Sequence, residues 1–189
     1  MSLHTFVFAG PSAVGKTYTA DLLMRLYPDK FEQAKVYTTR TPRTNEVASD
    51  RIFVSSEEFE KLAHAGKFLI HDDFGGNRYG FDRSSLYPGD KHLLVNTWLS
   101  PLPQFSSIPH IIIVGMQAPN DWQKILVPRM KSRGDSPETI EKRLQLISKD
   151  NSDLQKNMTL VNQHGKLFTI RDDKTIPDEI VPWLEQFIY

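Results

Sequence analysis

The residues with the clearest chemical potential form one short segment near the start of the chain. Positions 10–17 read GPSAVGKT and satisfy the pattern G-x-x-x-x-G-K-[ST], in which glycines let successive backbone N–H groups turn inward toward phosphate oxygens. Lys16 would neutralise the β- and γ-phosphates of a nucleoside triphosphate, and the hydroxyl of Thr17 would hold a magnesium ion. The residues expected to line this phosphate site are Gly10, Ser12, Ala13, Val14, Gly15, Lys16 and Thr17.

The segments on either side of the loop have the character that the motif requires. Residues 4–9 are a short apolar run rich in β-forming residues, and Ala20, Leu23 and Leu26 recur after the loop at helical spacing. Such a helix would present its positive N-terminal end to the same phosphates. A strand, a glycine loop and a helix in this order predict a site for ATP with Mg²⁺ rather than an incidental glycine turn.

Two arginines follow in a second segment that suits phosphate. Positions 38–43 read TTRTPR, and Pro42 restricts its own backbone and biases Thr41 away from helix. We expect an ordered loop that carries Arg40 and Arg43. Paired guanidinium groups can each grip a dianionic phosphate through parallel N–H donors. The hexapeptide alone leaves open that both arginines are simply solvated.

The remainder of the chain alternates between apolar strand-like runs and amphipathic segments. Strands are predicted at residues 35–39, 68–74, 79–81, 91–98, 110–116 and 158–162. Helices are predicted at residues 55–65, 120–133, 137–154 and 177–188. Strands that alternate with helices indicate an α/β fold with a mostly parallel sheet.

The composition excludes several classes of protein. The 23 basic and 23 acidic residues cancel, so no overall field favours nucleic acid or an anionic membrane. Cysteine is absent, and the six histidines are scattered without the spacing of a zinc site. Apolar runs are far shorter than the roughly 20 residues of a membrane helix. We expect a cytoplasmic protein that acts on small molecules, with no nucleic acid or membrane partner; the sequence leaves its oligomeric state open.

Taken together, the motifs resemble those of the guanylate kinase family over nearly the whole chain. The matching segments, in order, are GPSAVGKT, TTRTPR with Glu46 three residues on, FVS at 53–55, GNRYG at 76–80, RMKSRG at 129–134, EKRL at 141–144 and LVN at 160–162. The resemblance implies a doubly wound P-loop core at about residues 1–34, 89–125 and 155–189. It also implies an inserted β-rich acceptor-binding subdomain at about 35–88 and a helical lid at about 126–154.

The same resemblance implies roles for individual residues. The acceptor phosphate would be held by Arg40, Arg43 and Tyr79. The lid would bring Arg129, Arg133 and Arg143 to the transferred phosphoryl group, where they would act together with Lys16. Asn162 would lie near the adenine. Transfer to a phosphate that is already ionised needs no general base, and charge neutralisation by such cations is the main requirement.

The resemblance is weakest where the acceptor base would bind. The glutamate and the hydroxyl that read guanine in the family fall at Ile70 and Phe81, and a nearby serine falls at Val36. Apolar side chains cannot make the polar contacts that discriminate guanine, so weak guanine selectivity is expected. Asp72 lies on the same strand face as Ile70 and is the candidate for a replacement carboxylate.

Other departures resemble a second family with the same fold. The tyrosine that usually precedes the FV pair is replaced by Arg51, and the aspartates that close the strand after Lys91 fall at Asn96 and Trp98. The segments LLVN at 93–96 and DRIFVS at 50–55 look like those of ribose 1,5-bisphosphate phosphokinases, whose acceptor is a phosphosugar without a base. Asn96 is thus a further candidate acceptor contact.

Three functions therefore remain open at this point. A nucleoside monophosphate, similar to GMP, is the first candidate for the acceptor, and ribose 1,5-bisphosphate is the alternative. Some domains similar to guanylate kinase have lost catalysis and serve as binding modules. The complete phosphate loop argues for an enzyme, because a binding module has no need of one.

Overall fold

The computed structural model describes residues 2–42, 50–132 and 134–188, which form two β-sheets and seven α-helices. The strands are β1 (Thr5–Ala9), β2 (Phe31–Gln33), β3 (Val36–Thr38), β4 (Arg51–Phe53), β5 (Ile70–Phe74), β6 (Asn77–Phe81), β7 (His92–Thr97), β8 (Ile111–Gln117) and β9 (Gly165–Thr169). The helices are α1 (Lys16–Leu26), α2 (Ser56–His64), α3 (Leu102–Phe105), α4 (Gln123–Ser132), α5 (Pro137–Lys156), α6 (Met158–His164) and α7 (Val181–Glu185).

The larger sheet is parallel throughout and has the order β2-β7-β1-β8-β9. Its central strand, β1, is buried along its whole length, and β7 and β8 are nearly as apolar. Such continuous apolar runs are expected where helices cover both faces of a parallel sheet. This arrangement confirms the predicted α/β class with a parallel central sheet. It also brings the ends of β1, β7 and β8 to one edge, where α/β proteins bind ligands.

The smaller sheet has the order β4-β3-β6-β5 and mixes parallel and antiparallel pairs. It lies with α2 inside the segment predicted to form the acceptor-binding subdomain. The side chain of Ser55 caps α2 by accepting a hydrogen bond from the backbone N–H of Glu58 at 3.0 Å. Phe59 of this helix stacks on Phe68 at 4.7 Å between ring centroids. The ring contact holds α2 against the residues that lead into β5.

Helices α4 and α5 occupy the segment predicted to form the lid. Leu126 and Met130 of α4 pack with Ile140 and Ile147 of α5 in an apolar cluster separate from the two clusters of the core. Ser136 begins α5 by accepting a hydrogen bond from the backbone N–H of Thr139 at 3.2 Å. The cluster also includes Ala118, which follows β8, so it packs the helix pair against the end of the central sheet.

One predicted strand is wrong. Residues 158–162 were expected to form the last core strand, but they lie in α6, and the last strand is β9. A short apolar run such as Leu160-Val161 does not distinguish a strand from a buried helical turn. The alternation that ends with the buried Phe168 and Ile170 was the better signal.

Smaller differences lie at the edges of the fold. Strands β2 and β4 were not predicted, because three residues carry too little periodicity to be read. The closing helix, expected at residues 177–188, begins with a π-helical turn at Ile176–Ile180 and continues as α7. Arg43, Glu46 and Arg133 lie outside the described residues.

The pairing of β8 with β9 can be tested at Gly165, which faces Ile113. A Cβ on Gly165 would lie 1.8 Å from the carbonyl oxygen of Ile113, whereas one on Gly89 would meet nothing within 4 Å. We expect Gly165→Ala to lower the free energy of unfolding by about 2 kcal/mol or more, because the ladder must open to admit the methyl group. Urea unfolding measures this change, with Gly89→Ala as the control; equal stability of both variants would contradict the β9 assignment.

Candidate active site

The loop between β1 and α1 has the geometry of a phosphate cradle. Ala13 and Gly15 have positive φ values of 64° and 119°, which turn successive backbone N–H groups toward one side. A Cβ on Gly10 would lie 2.1 Å from the carbonyl oxygen of Met116, so position 10 has no room for a side chain. The loop thus packs directly on β8 and opens at the N-terminus of α1, where an anion is stabilised.

Lys16 is held across the mouth of this loop. Its Nζ donates hydrogen bonds to the carbonyl oxygens of Gly10 at 2.6 Å and Pro11 at 2.8 Å. The ammonium group is therefore already directed toward the concave side of the loop. A point charge in that position suits the β- and γ-phosphates of a triphosphate.

Two cavities meet at the loop. The larger, of about 620 Å³, is lined by Ser12, Ala13, Gly15, Lys16, Thr17, Tyr18, Arg51, Arg129, Arg143, Asp173 and Ile176. The smaller, of about 120 Å³, is lined by Gly10, Ser12, Lys16, Thr17, Val36, Arg51, Phe74, Tyr79, Asn96, Thr97 and Trp98. Ser12, Lys16, Thr17 and Arg51 line both. Two cavities that share residues at a phosphate loop suit two phosphate groups that meet there. We call the larger the donor cavity and the smaller the acceptor cavity.

Two of the predicted lid arginines line the donor cavity. Arg129 donates to Asp173 Oδ1 at 2.6 Å and approaches the carbonyl oxygen of Val14 at 3.3 Å. Arg143 lies 3.7 Å from Asp135 Oδ2. Both residues therefore lie beside the phosphate loop, and their contact with the transferred phosphoryl group stays a prediction. Asp173, in the loop after β9, was not predicted.

The acceptor cavity is closed on one side by aromatic rings. Trp98 stacks on Phe74 at 5.4 Å and lies 4.7 Å from Tyr79, measured between ring centroids. Its Nε1 donates to Asp72 Oδ2 at 2.9 Å, and the hydroxyl of Ser100 donates to the same oxygen. Asp72 is therefore tied to Trp98 and does not line the acceptor cavity. Tyr79 lines this cavity, and its contact with the acceptor phosphate stays a prediction.

Arg40 was predicted to bind the acceptor phosphate but lines neither cavity. Its Nη1 donates to the carbonyl oxygen of Thr41 at 2.9 Å, and its guanidinium lies 5.4 Å from the centre of the Phe53 ring. Its expected partner, Arg43, is outside the described residues. The role of Arg40 stays a prediction that requires the side chain to turn toward the cavity.

Asn96, the penultimate residue of β7, has a side-chain amide without hydrogen-bond partners among the described residues. Both amide atoms are buried and have no hydrogen-bond partner among the described residues, and the same holds for the hydroxyl of the adjacent Thr97. Buried polar groups normally have partners, and an unpartnered one costs about 1–3 kcal/mol. Because Asn96 and Thr97 both line the acceptor cavity, a bound molecule can supply the missing partners.

The structure does not bring Asn162 to the site. It is an exposed residue of α6 and lines neither cavity, so the place beside the adenine that the family resemblance implied has no support from this geometry. The residue of this part of the chain that lies beside the phosphate loop is Asp173, which follows β9.

Neither cavity has the ligands of a transition-metal site. Within the described ranges, no three His, Cys, Asp or Glu side chains are grouped to hold a metal ion. Thr17 lines both cavities, and its hydroxyl can serve as one oxygen ligand for Mg²⁺, which takes most of its other ligands from phosphates and water. The residues present therefore fit a magnesium ion that is bound with a nucleotide.

Asp150 of α5 is a buried carboxyl group near this site. Burial raises its pKa to about 6, and the charge of Lys16 partly offsets that increase. Burial disfavours the charged form because water no longer solvates it. The residue is only 7% exposed. Because a pKa of about 6 lies below neutral pH, α5 places a negative charge near Lys16 of the phosphate loop at pH 7.

Fold and site together define a P-loop phosphotransferase with adjoining donor and acceptor cavities. Residues 2–87 match the family model described as guanylate kinase. Guanylate kinase from Streptomyces kasugaensis is 34% identical over 82% of this chain and 78% of its own length, and guanylate kinase from Thermobifida fusca is 34% identical over 74% and 72%. The chain belongs to the guanylate kinase family, and it is an ATP-dependent phosphotransferase.

The solved structure of guanylate kinase from Anaplasma phagocytophilum has a similar fold. It superposes with a TM-score of 0.71 at 20% sequence identity, covering 98% of this chain and 86% of the other. In the described part of this chain, no helix combines the length and the apolar character that crossing a membrane requires.

The burial of Asp150 predicts a specific dependence of stability on pH. Because its pKa in the folded state exceeds the ordinary value of 3.8, the folded state binds more protons than the unfolded state between about pH 4 and 6. Stability is lost as the pH rises through this window. The free energy of unfolding of Asp150→Asn, relative to that of the wild type, should therefore be roughly 2 kcal/mol higher at pH 7.5 than at pH 4.5.

Urea unfolding at both pH values measures this gain. The matched control is Asp90→Asn, at an exposed position, which should track the wild type. A constant difference between Asp150→Asn and wild type at the two pH values would show that Asp150 does not titrate in this window.

Proposed function

We propose that this protein transfers the γ-phosphoryl group of ATP to the phosphate of a nucleoside monophosphate, with GMP as the first acceptor. The observation that carries this proposal is the pair of cavities that share Lys16, Thr17 and Arg51. ATP in the donor cavity would direct its γ-phosphate at the shared boundary, where the acceptor phosphate would meet it. The names of the relatives support GMP and do not favour the phosphosugar or the binding-module alternative.

The reaction needs charge neutralisation and alignment more than covalent help from the protein. An oxygen of the acceptor phosphate forms a bond to the γ-phosphorus while the bond from that phosphorus to the β,γ-bridging oxygen breaks, and its electron pair stays on ADP. Lys16 would neutralise charge on the β- and γ-oxygens. Arg129 and Arg143 would stabilise the transferring group from the lid side, and Arg133 is proposed for the same role.

A magnesium ion that is bound with ATP would neutralise charge on the phosphate oxygens. Thr17 is the protein ligand proposed for it, since its hydroxyl lines both cavities. The proposed setting is the cytoplasm, in keeping with a chain that has no cysteine.

This site should discriminate between acceptor bases less strongly than a site that makes hydrogen bonds to the base. Ile70, Phe81 and Val36 are each at most 3% exposed and pack in one apolar cluster together with Trp98. These side chains offer guanine neither donors nor acceptors, and losing such contacts can cost a selectivity factor of about 10⁴. A carboxylate at Asp72 would become available only if Trp98 and Ser100 released it.

The first prediction for the reaction concerns Lys16. We expect Lys16→Ala to lower kcat by about 10²-fold or more, because this charge opposes the negative charge on the phosphates during transfer. ADP release with GMP, other nucleoside monophosphates and ribose 1,5-bisphosphate, each at saturating ATP, measures both the turnover and the acceptor. Undiminished turnover of Lys16→Ala would contradict the role of the loop, and a clear preference of the wild type for ribose 1,5-bisphosphate would contradict the proposed acceptor.

The second concerns Asn96, whose amide lacks partners among the residues that the structure describes. We expect Asn96→Leu to stabilise the fold by about 1 kcal/mol, because it removes buried unpaired polar atoms, and to raise KM for the acceptor more than KM for ATP. Urea unfolding and steady-state kinetics measure the two effects. Equal changes in both KM values would show that Asn96 does not contact the acceptor.

A further inference from the structure

Arg51 is a cation at the boundary between the two cavities to which no role has yet been given. It belongs to β4, in the acceptor subdomain, and it lines both the donor cavity and the acceptor cavity. Lys16 is the only other charged residue that the two cavities share among the described residues. One of these cations therefore belongs to α1 of the core and the other to β4 of the small sheet.

The position of Arg51 is set by its neighbour Asp50. Arg51 Nη1 lies 2.6 Å from Asp50 Oδ2, and the same carboxylate oxygen accepts a hydrogen bond from Gln33 Nε2 at 3.2 Å. The backbone carbonyl of Asp50 also accepts from the N–H of Val36 at 3.0 Å. Because Gln33 belongs to the central sheet, these contacts hold the guanidinium in a defined place relative to the phosphate loop.

The ion pair with Asp50 does not use all the donors of Arg51. Its Nε is buried and has no partner within the part of the chain that the structure describes, although a guanidinium presents its donors as a planar fork. The side chain is 19% exposed, so water reaches little of it. A buried, unsatisfied donor next to Lys16 and Thr17 is suited to an anionic oxygen.

We propose that the Arg51 guanidinium binds the phosphoryl group during transfer, contacting oxygens of the γ-phosphate and of the acceptor phosphate at once. This inference rests on the proposed function. Arg51 would thereby offset the repulsion between two anions that must approach each other, and its contribution would be largest in the transition state, when both phosphates are closest. Asp50 acts as a positioning residue, since it orients the guanidinium without reaching the substrates.

A purely structural role of Arg51 predicts different effects of its replacement. If Arg51 served only to pair with Asp50, its loss would lower stability and leave the kinetic constants of the folded enzyme unchanged. A contact with the transferring group instead lowers kcat in an enzyme that remains folded and still binds each substrate alone. The two roles are therefore separated by kinetics and by ligand affinity.

The test compares Arg51→Met, which keeps an unbranched stem without the charge, with Arg51→Lys, which keeps a charge but not the fork. The control is Arg83→Ala, because Arg83 is exposed, stacks on Tyr87 at 4.8 Å and lines neither cavity. Thermal unfolding establishes that each variant is folded. Steady-state kinetics with ATP and GMP then gives kcat and both KM values, and calorimetry gives the affinity for adenosine and guanosine joined through five phosphates.

We expect Arg51→Met to lower kcat by about 10²-fold and to weaken binding of the joined analogue at least about tenfold, as the contact to both phosphates is lost. Arg51→Lys should recover part of both losses, and Arg83→Ala should match the wild type. If Arg51→Met is not stable enough to assay, Arg51→Lys still decides, since a loss of bidentate contacts should lower its kcat about tenfold.

Two failures are distinguishable. Turnover by the wild type together with unchanged kcat and analogue affinity in Arg51→Met and Arg51→Lys would overturn the role of Arg51 alone. Absence of turnover by the wild type with every acceptor would overturn the proposed function and this inference with it.

Discussion

The backbone of Gly10 passes so close to the carbonyl oxygen of Met116 that no side chain fits between them. This contact seats the phosphate loop against the end of β8 and directs the chain into α1. The same close packing recurs at Gly15, where a Cβ would lie 2.6 Å from Ile176. The loop is thus confined between the central sheet and the C-terminal segment. Among the described residues, four cations line the two cavities and surround this confined backbone: Lys16, Arg51, Arg129 and Arg143.

Each of those cations is held by an oxygen of the protein itself. Lys16 donates to loop carbonyls, Arg51 pairs with Asp50, Arg129 with Asp173, and Arg143 lies near Asp135. Converging cations repel one another, and these oxygens offset that repulsion. Phosphate oxygens are charged acceptors that form stronger hydrogen bonds than carbonyls do. Anionic substrates can therefore replace some of these contacts without a large rearrangement of the loop.

The acceptor side follows a different principle, because aromatic packing takes the place of polar contacts. Trp98 ends up among Phe74, Tyr79 and Phe81, with its N–H satisfied by Asp72. The remaining cavity, of about 120 Å³, is smaller than the roughly 300 Å³ of an ordinary ligand pocket. A nucleoside acceptor thus requires the small sheet to move outward or Trp98 to turn. Binding of the acceptor is for that reason coupled to the conformation of the subdomain.

The sequence by itself determined those features that depend only on local chemistry and on the order of elements along the chain. A phosphate loop between a strand and a helix is specified by GPSAVGKT and its flanks, and the alternation of elements specified a parallel sheet. Only the tertiary structure decided which distant side chains meet. It left Asn162 outside both cavities, tied Asp72 to Trp98, and brought Arg51 and Asp173 to the loop. Those outcomes depend on strand register and on how the subdomain packs on the core, and a one-residue shift in register reverses the face on which a side chain lies.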